Sequence, residues 1–190
     1  MIVDDGSNPP ISLKSDNLII IRNNENMGKG YALRKGFNWG LNHHFKFAIT
    51  LDSDGQHSPT VLKKFLEINE NIDFCLGYRK FSKSMPLHRR LSNYLTSKLI
   101  SLRVRKKILD SQCGYRSYNL QTIASLNFVE TGFMLETEIL LKSINRSTEI
   151  NNILIPTIYG DEVSSIRNFS DTTNFIMLYL RSFFYKWKIQ

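Results

Sequence analysis

Apolar residues fall along this chain in two alternating patterns. Ile2-Val3 and the continuous run 18–21 read as strands, as do the apolar-rich stretches 45–51, 72–77 and 153–159, and 114–118 reads as a short extended piece. Between them apolar positions take helical spacing. Ala32, Leu33, Phe37 and Leu41 predict a helix over 30–43, opened by Gly28-Lys29-Gly30. Ser58 and Pro59 read as N-cap and first residue of a helix through Asn69. Residues 86–102 predict a basic helix, 134–144 an amphipathic one, and 171–188 a last one. This alternation predicts an α/β fold with a largely parallel sheet. In such sheets ligands gather at the carboxyl ends of the strands.

Length and composition narrow the picture. The chain has 190 residues, 42% of them hydrophobic and 22% charged, values ordinary for one globular domain. There is no linker, low-complexity tract or internal repeat, so residues 1–170 read as one catalytic unit and 171–190 as a C-terminal amphipathic helix. Cys75 and Cys113 are the only cysteines, too few for a disulfide framework or a zinc site, which points to a reducing, cytoplasmic setting. No leader pattern opens the chain, and no 18-residue stretch is both apolar and uncharged.

The charge is +8 and unevenly spread: 79–107 holds ten Lys or Arg and no Asp or Glu. That segment reads either as a solvated basic helix face or as a surface for phosphate-bearing substrate or anionic membrane. Nucleic acid is not the expected partner, because no recognition motif appears and no stacking aromatics interleave the cluster. The last helix carries an apolar arc of Phe175, Ile176, Tyr179, Leu180, Phe183, Phe184 and Trp187, with Arg181, Lys186 and Lys188 near its end. Two readings stand for it: contact with a membrane surface, or docking on the protein's own core.

Candidate chemistry centres on Asp52-Ser53-Asp54-Gly55-Gln56-His57, directly after the run 47–51. Carboxylates at i and i+2 past a strand end can turn towards one ion, and oxygen ligands suit Mg²⁺ or Mn²⁺. The amide of Gln56 adds a neutral donor. The plainer reading is an acidic turn capping the next helix. An EF-hand is excluded, since no Glu stands at the twelfth loop position. The backbone at Gly28-Lys29-Gly30 could hold an anion at a helix start, but it forms neither a dinucleotide fingerprint nor a P-loop. His57 reads as positioning its loop. Glu136 and Glu138 read as compensating a helix dipole rather than serving an acceptor.

Taken in order, the motifs are more specific than any one alone: V-D-D-G-S (3–7), N-x-G-K-G-x-A-L (26–33), L-D-S-D-G-Q-H-x-P (51–59), G-Y-R (77–79), D-x-Q-C-G-Y-R (110–116), E-T-E-I-L-L-K (136–142) and Y-G-D-E-V-S-S-I (159–166). This series resembles the family-2 glycosyltransferases, in particular the branch similar to dolichol-phosphate mannose synthase and bacterial polyprenyl-phosphate glycosyltransferases. The resemblance implies an A-type glycosyltransferase fold, a nucleotide-sugar donor, a polyprenyl phosphate acceptor and transfer with inversion. It implies Asp4, Asp5, Lys29 and Asp52 on the donor side, with Asp52, Asp54 and Gln56 around Mg²⁺ or Mn²⁺. It implies Gln112, Gly114 and Arg116 on the acceptor side, with Asp52, Asp54 and Arg116 as catalytic residues. Arg79, Arg89 and Arg90 match a region that grips substrate phosphates, and a peripheral membrane location follows from such an acceptor.

Members of that family begin with a further strand and helix ahead of V-D-D-G-S, the strand lying between the one that ends at Asp4 and the one that ends at Asp52. Against this pattern the chain is expected to be N-terminally truncated. Three other readings remain open from sequence: an inactive relative or fragment, a sugar nucleotidyltransferase, and a basic nucleic-acid-binding module.

Overall fold

A computed structural model describes residues 1–80, 85, 87–156 and 168–185. The strands are β1 (Ile2–Asp4), β2 (Ile20–Arg22), β3 (Phe47–Thr50), β4 (Phe74–Arg79), β5 (Arg116–Asn119) and β6 (Ile150–Ile155). The helices are α1 (Lys29–Asn42), α2 (Leu62–Leu66), α3 (Leu87–Val104), α4 (Leu120–Ala124), α5 (Met134–Ser143) and α6 (Asn168–Ser182), with a 3-10 turn at Pro59–Val61 ahead of α2. The motif at 159–166, Lys83, Pro86, Lys186, Trp187 and Lys188 lie outside the described residues.

The strands form two sheets. β1 and β2 pair in parallel, and a four-stranded sheet has the order β3-β5-β4-β6. In it β3 and β4 both run antiparallel to β5, while β4 and β6 are parallel. Three strands therefore share one direction and β5 alone is reversed, so the sheet is mixed. The reversal has a functional consequence. The loop that enters β5 lies at the same edge as the ends of β3 and β4. Among the described residues no ladder joins β1 to β3, and α1 packs on both strands.

Side-chain alternation along the strands sorts the core into two layers. Phe74 and Leu76 of β4 and Tyr118 of β5 join the larger cluster with Phe37, Ile100 and the leucines of α5. Cys75, between them in sequence, faces the smaller cluster of Val61, Phe65, Cys113, Tyr115 and Ile153. Tyr115 stacks on Phe65 with ring centroids 4.6 Å apart. Both thiols are buried and unpaired with each other or any cysteine, and burial pushes Cys75 up to about 12 and Cys113 up to about 11.

Two helices differ from their sequence reading. The predicted helix 58–69 reduces to the 3-10 turn and the five residues of α2, which ends at Leu66; beyond it the Asn69 side chain accepts the Asn71 N–H at 2.9 Å in a turn towards β4. α5 is buried nearly all round instead of on one face, since α1, α3, α4 and α6 pack around it. α6 buries Phe175 and Leu178 in the same core and leaves Ile176, Met177 and Leu180 exposed, as are Phe183 and Phe184 in the turn after it. No helix among the described residues is long and apolar enough to cross a membrane.

Candidate functional site

At the end of β1 two adjacent carboxylates do different work. Asp4 is buried and accepts the Ser7 N–H at 2.9 Å and the Ile11 N–H at 3.2 Å, while Arg22 pairs with it from β2. Hydrogen bonding from Ser7 lowers its pKa to about 2 against the opposing effect of burial, with Ile11 and Arg22 adding to the drop. A carboxylate so committed shapes its own loop. Asp5 reaches the next motif: it accepts the Asn23 side-chain amide at 2.6 Å and the backbone N–H groups of Met27 at 3.1 Å and Gly28 at 2.7 Å. It thereby fixes the start of α1.

The Asp4 arrangement has a pH signature. The folded pKa lies below the unfolded value near 3.8, so the unfolded chain takes up the proton first. The stabilisation is complete above about pH 4 and is lost as pH falls towards 2. Asp4→Asn is expected to flatten the acid limb of the unfolding midpoint over that window, measured by thermal melts from pH 6 to pH 2.

Glycine is required at the mouth of α1. Gly28 has φ of 92°, and a Cβ on Gly30 would stand 2.5 Å from the Thr131 carbonyl oxygen. The Tyr31 N–H donates to that oxygen at 2.9 Å, so this end of the helix is closed by protein. What it presents to the site is the Lys29 side chain. The ammonium lies 2.7 Å from Asp52 Oδ1 and 2.9 Å from Glu136 Oε2. Burial opposes its charge, but the two carboxylates outweigh that cost and raise its pKa.

Asp52 follows β3, and its loop is held by His57. The buried His57 Nδ1 accepts the Asp52 N–H at 3.1 Å, and burial lowers the imidazole pKa, which keeps that nitrogen an acceptor. Asp54 is exposed, with Oδ1 accepting the Gln56 N–H at 3.0 Å. Gly55 between them has φ of 77°. Asp52, Asp54 and Gln56 offer hard oxygen donors of the kind Mg²⁺ and Mn²⁺ take. Among the described residues no three His, Cys, Asp or Glu side chains converge, so an ion here would complete its shell with ligand phosphate oxygens and water.

The loop entering β5 closes the other side. Thr50 Oγ1 donates to the Gly114 carbonyl at 2.9 Å, tying it to the end of β3. A Cβ on Gly114 would lie 2.5 Å from Asp52 Oδ2 and 3.0 Å from Lys29 Nζ. Gly114→Ala is therefore expected to push Asp52 and Lys29 apart. The expected result is at least a tenfold loss of turnover at near-normal secondary structure, read by steady-state kinetics beside circular dichroism; a 1 Å misplacement can cost about 10²-fold.

Several arginines take roles other than those expected. Arg116 is 1% exposed and donates to the carbonyls of Cys113 at 2.7 Å, Ser111 at 2.7 Å and Glu136 at 3.1 Å. It holds the loop and the start of α5 together and presents nothing to a substrate. Arg79 is paired through Nε with Asp110 at 2.8 Å. Burial would raise the Asp110 pKa, but Arg79 and the Asn93 amide outweigh it and lower the value. Gln112 is the exposed side chain of this loop. Arg89 and Arg90 sit on the first turn of α3 and make no ion pair among the described residues.

Glu136 was missed by sequence reasoning. It is 7% exposed, its Oε2 meets Lys29, and its Oε1 has no hydrogen-bond partner among the described residues. Glu138 is structural: it accepts the N–H groups of Val129 and Glu130 and pairs with Lys142 at 2.6 Å. Two acids beside the apolar run Ile139-Leu140-Leu141 are the available signal, since buried charges need partners.

Lys29, Asp52 and Glu136 thus meet against Gly114, with the Asp54 turn following directly on Asp52. A sequence profile described as glycosyl transferase family 2 matches residues 1–126. An uncharacterised protein of Methanocaldococcus jannaschii is 33% identical over 182 residues, covering 87% of this chain and 79% of that protein. The UDP-N-acetylglucosamine–dolichyl-phosphate N-acetylglucosaminyltransferase of Methanococcus voltae is 28% identical over 152 residues, covering 76% of this chain and 61% of that enzyme. Among solved structures, glucosyl-3-phosphoglycerate synthase from Mycobacterium tuberculosis, in complex with Mn²⁺, uridine-diphosphate-glucose and phosphoglyceric acid, superposes with a TM-score of 0.61 at 13% identity. That match covers 89% of this chain and 62% of the other, and it bears on the fold alone.

Proposed function

The chain belongs to glycosyl transferase family 2 and has the A-type glycosyltransferase fold, and from that premise we propose that it transfers a sugar from a nucleotide-sugar donor to a polyprenyl phosphate, with inversion and with Mg²⁺ or Mn²⁺. The observation that carries the reading is the Lys29–Asp52–Glu136 cluster at the strand-end edge, beside the exposed Asp54.

Breaking a sugar–phosphate bond builds negative charge on the departing nucleoside diphosphate. A divalent ion held by Asp52, Asp54 and Gln56 would supply electrostatic stabilisation of that charge. The chain's own residues do the rest. His57 and Gly55 hold the turn that aims Asp54. Asp5 fixes the α1 start so that Lys29 stays beside Asp52, and the ammonium adds fixed positive charge on the donor side. Glu136 positions that ammonium. Gln112 lies open on the acceptor side. A phosphate acceptor is already anionic, so no strong general base is needed.

The acceptor class rests on the motif series and on the named activity of the Methanococcus voltae relative. Incubation with a panel of nucleotide sugars, Mn²⁺ and a short polyprenyl phosphate tests it: a lipid-linked sugar of inverted anomeric configuration by NMR is expected. A retained configuration, or transfer only to a water-soluble acceptor, would overturn the reading.

A further inference from the structure

A phenylalanine stands where a helix start favours a polar side chain. Phe133 is the N-cap of α5, makes no side-chain hydrogen bond to the helix and is 47% exposed. Ser, Thr, Asp or Asn there would accept a backbone N–H and stabilise the helix. A single exposed aromatic is ordinary on a protein surface. One that displaces a cap breaks a local rule, and such breaks gather at functional sites.

The neighbours of Phe133 belong to the candidate site. The Lys29 ammonium stands over its ring, 5.9 Å from the centroid, and the same ammonium meets Asp52 and Glu136. Phe133 has helical φ of −61° and ψ of −23°, so Glu136, three residues on, lies on the same side of α5. The Lys29 and Asp52 side chains are both partly open, at 23% and 32% exposed. Space is kept around them: a Cβ on Gly132 would meet nothing within 4 Å, and Gly114 sets bare backbone against Asp52. A flat apolar face and two accessible charged groups therefore adjoin.

We propose that Phe133 is the platform for the transferred sugar: one C–H face of a pyranose packs on the phenyl ring, while Lys29 and Asp52 meet the polar groups at its edge. A pyranose is two-sided in the same way, with hydroxyls around its rim and C–H groups on its faces. Sites for such ligands pair an apolar wall with a few placed polar groups. A polyprenyl chain suits this position less well. Hydrocarbon seated here would strip water from the Lys29 and Asp52 charges without replacing its hydrogen bonds. The inference rests on the nucleotide-sugar reading and deepens it, by naming the side chain that tells a nucleotide sugar from the bare diphosphate.

The test is isothermal titration, in Mn²⁺, of UDP-glucose, UDP-N-acetylglucosamine and GDP-mannose, each beside its own nucleoside diphosphate. The parent chain is compared with Phe133→Ala, with Phe133→Trp, and with Phe45→Ala at a remote exposed aromatic; parental melting temperatures confirm folding. The parent is expected to bind at least one nucleotide sugar more tightly than its diphosphate. Phe133→Ala is expected to lose about tenfold for that nucleotide sugar, the scale of one ring contact, and nothing for the diphosphate. Phe133→Trp, which keeps a flat face, and Phe45→Ala are expected to bind as the parent does. Unchanged nucleotide-sugar affinity in Phe133→Ala, equal loss for both ligands, or a raised KM for polyprenyl phosphate at parental donor affinity would overturn the proposal. So would a parent that binds nucleotide sugar and diphosphate equally, which leaves the donor reading standing. A parent that binds neither ligand would overturn the donor reading and this inference together.

Discussion

Asp54→Asn is expected to abolish Mn²⁺-dependent binding of a nucleoside diphosphate while shifting the melting temperature by no more than about 2 °C. Asp54 is exposed, and its Oδ1 accepts a backbone N–H that an Asn side-chain oxygen can accept equally well. Surface substitutions of this kind stay within about 0.5 kcal/mol. What the change removes is the charge: a neutral amide oxygen holds a hard dication less strongly than a carboxylate does. Turnover should fall on the order of 10²- to 10³-fold, the range seen when one group aimed at developing charge is lost. Isothermal titration of the diphosphate, with and without Mn²⁺, reads the binding directly. Equal metal-dependent affinity in variant and parent would remove Asp54 from the metal site.

Lys29→Met should damage both fold and function. It leaves the Asp52 and Glu136 carboxylates beside each other without their shared cation. Removing one partner of a buried ion pair costs about 3–5 kcal/mol, but the Asp52 side chain is 32% exposed, and solvent screening reduces that. A loss of about 2–3 kcal/mol is expected by urea denaturation. Adding Glu136→Gln removes the stranded charge and should recover more than half of the loss, because contacting residues couple. Turnover should not recover, since the donor still lacks the ammonium. A strictly additive double variant would show that the three side chains do not act as one cluster.

The parts of this site that were legible in sequence are those carried by neighbouring residues. The D-S-D-G-Q-H turn follows an apolar run, and the structure places it after β3 as that run implies. The assembly was not legible in the same way. Lys29, Asp52 and Glu136 are far apart in the chain, and they meet because α1 and α5 begin at one edge of the sheet. Gly114 joins them because β5 is reversed, a pairing that local periodicity does not encode. Arg116 fits a substrate-facing pattern by residue type, yet burial and three carbonyl acceptors make it a brace. Glu136 stands early in a helix, where sequence alone reads an acid as compensating the dipole. Once the helix is packed on all sides, an acid in it must have a partner, and Lys29 is that partner.

The most direct test of the account is one partition assay. The chain is incubated with a radiolabelled nucleotide sugar, with and without Mn²⁺ and with and without a short polyprenyl phosphate, and the label is followed between organic and aqueous phases. Label entering the organic phase only when metal and polyprenyl phosphate are both present, and failing to do so with Asp54→Asn, is the predicted result. Free sugar released at the same rate with or without the lipid, or lipid labelling unaffected by a chelator, would contradict it.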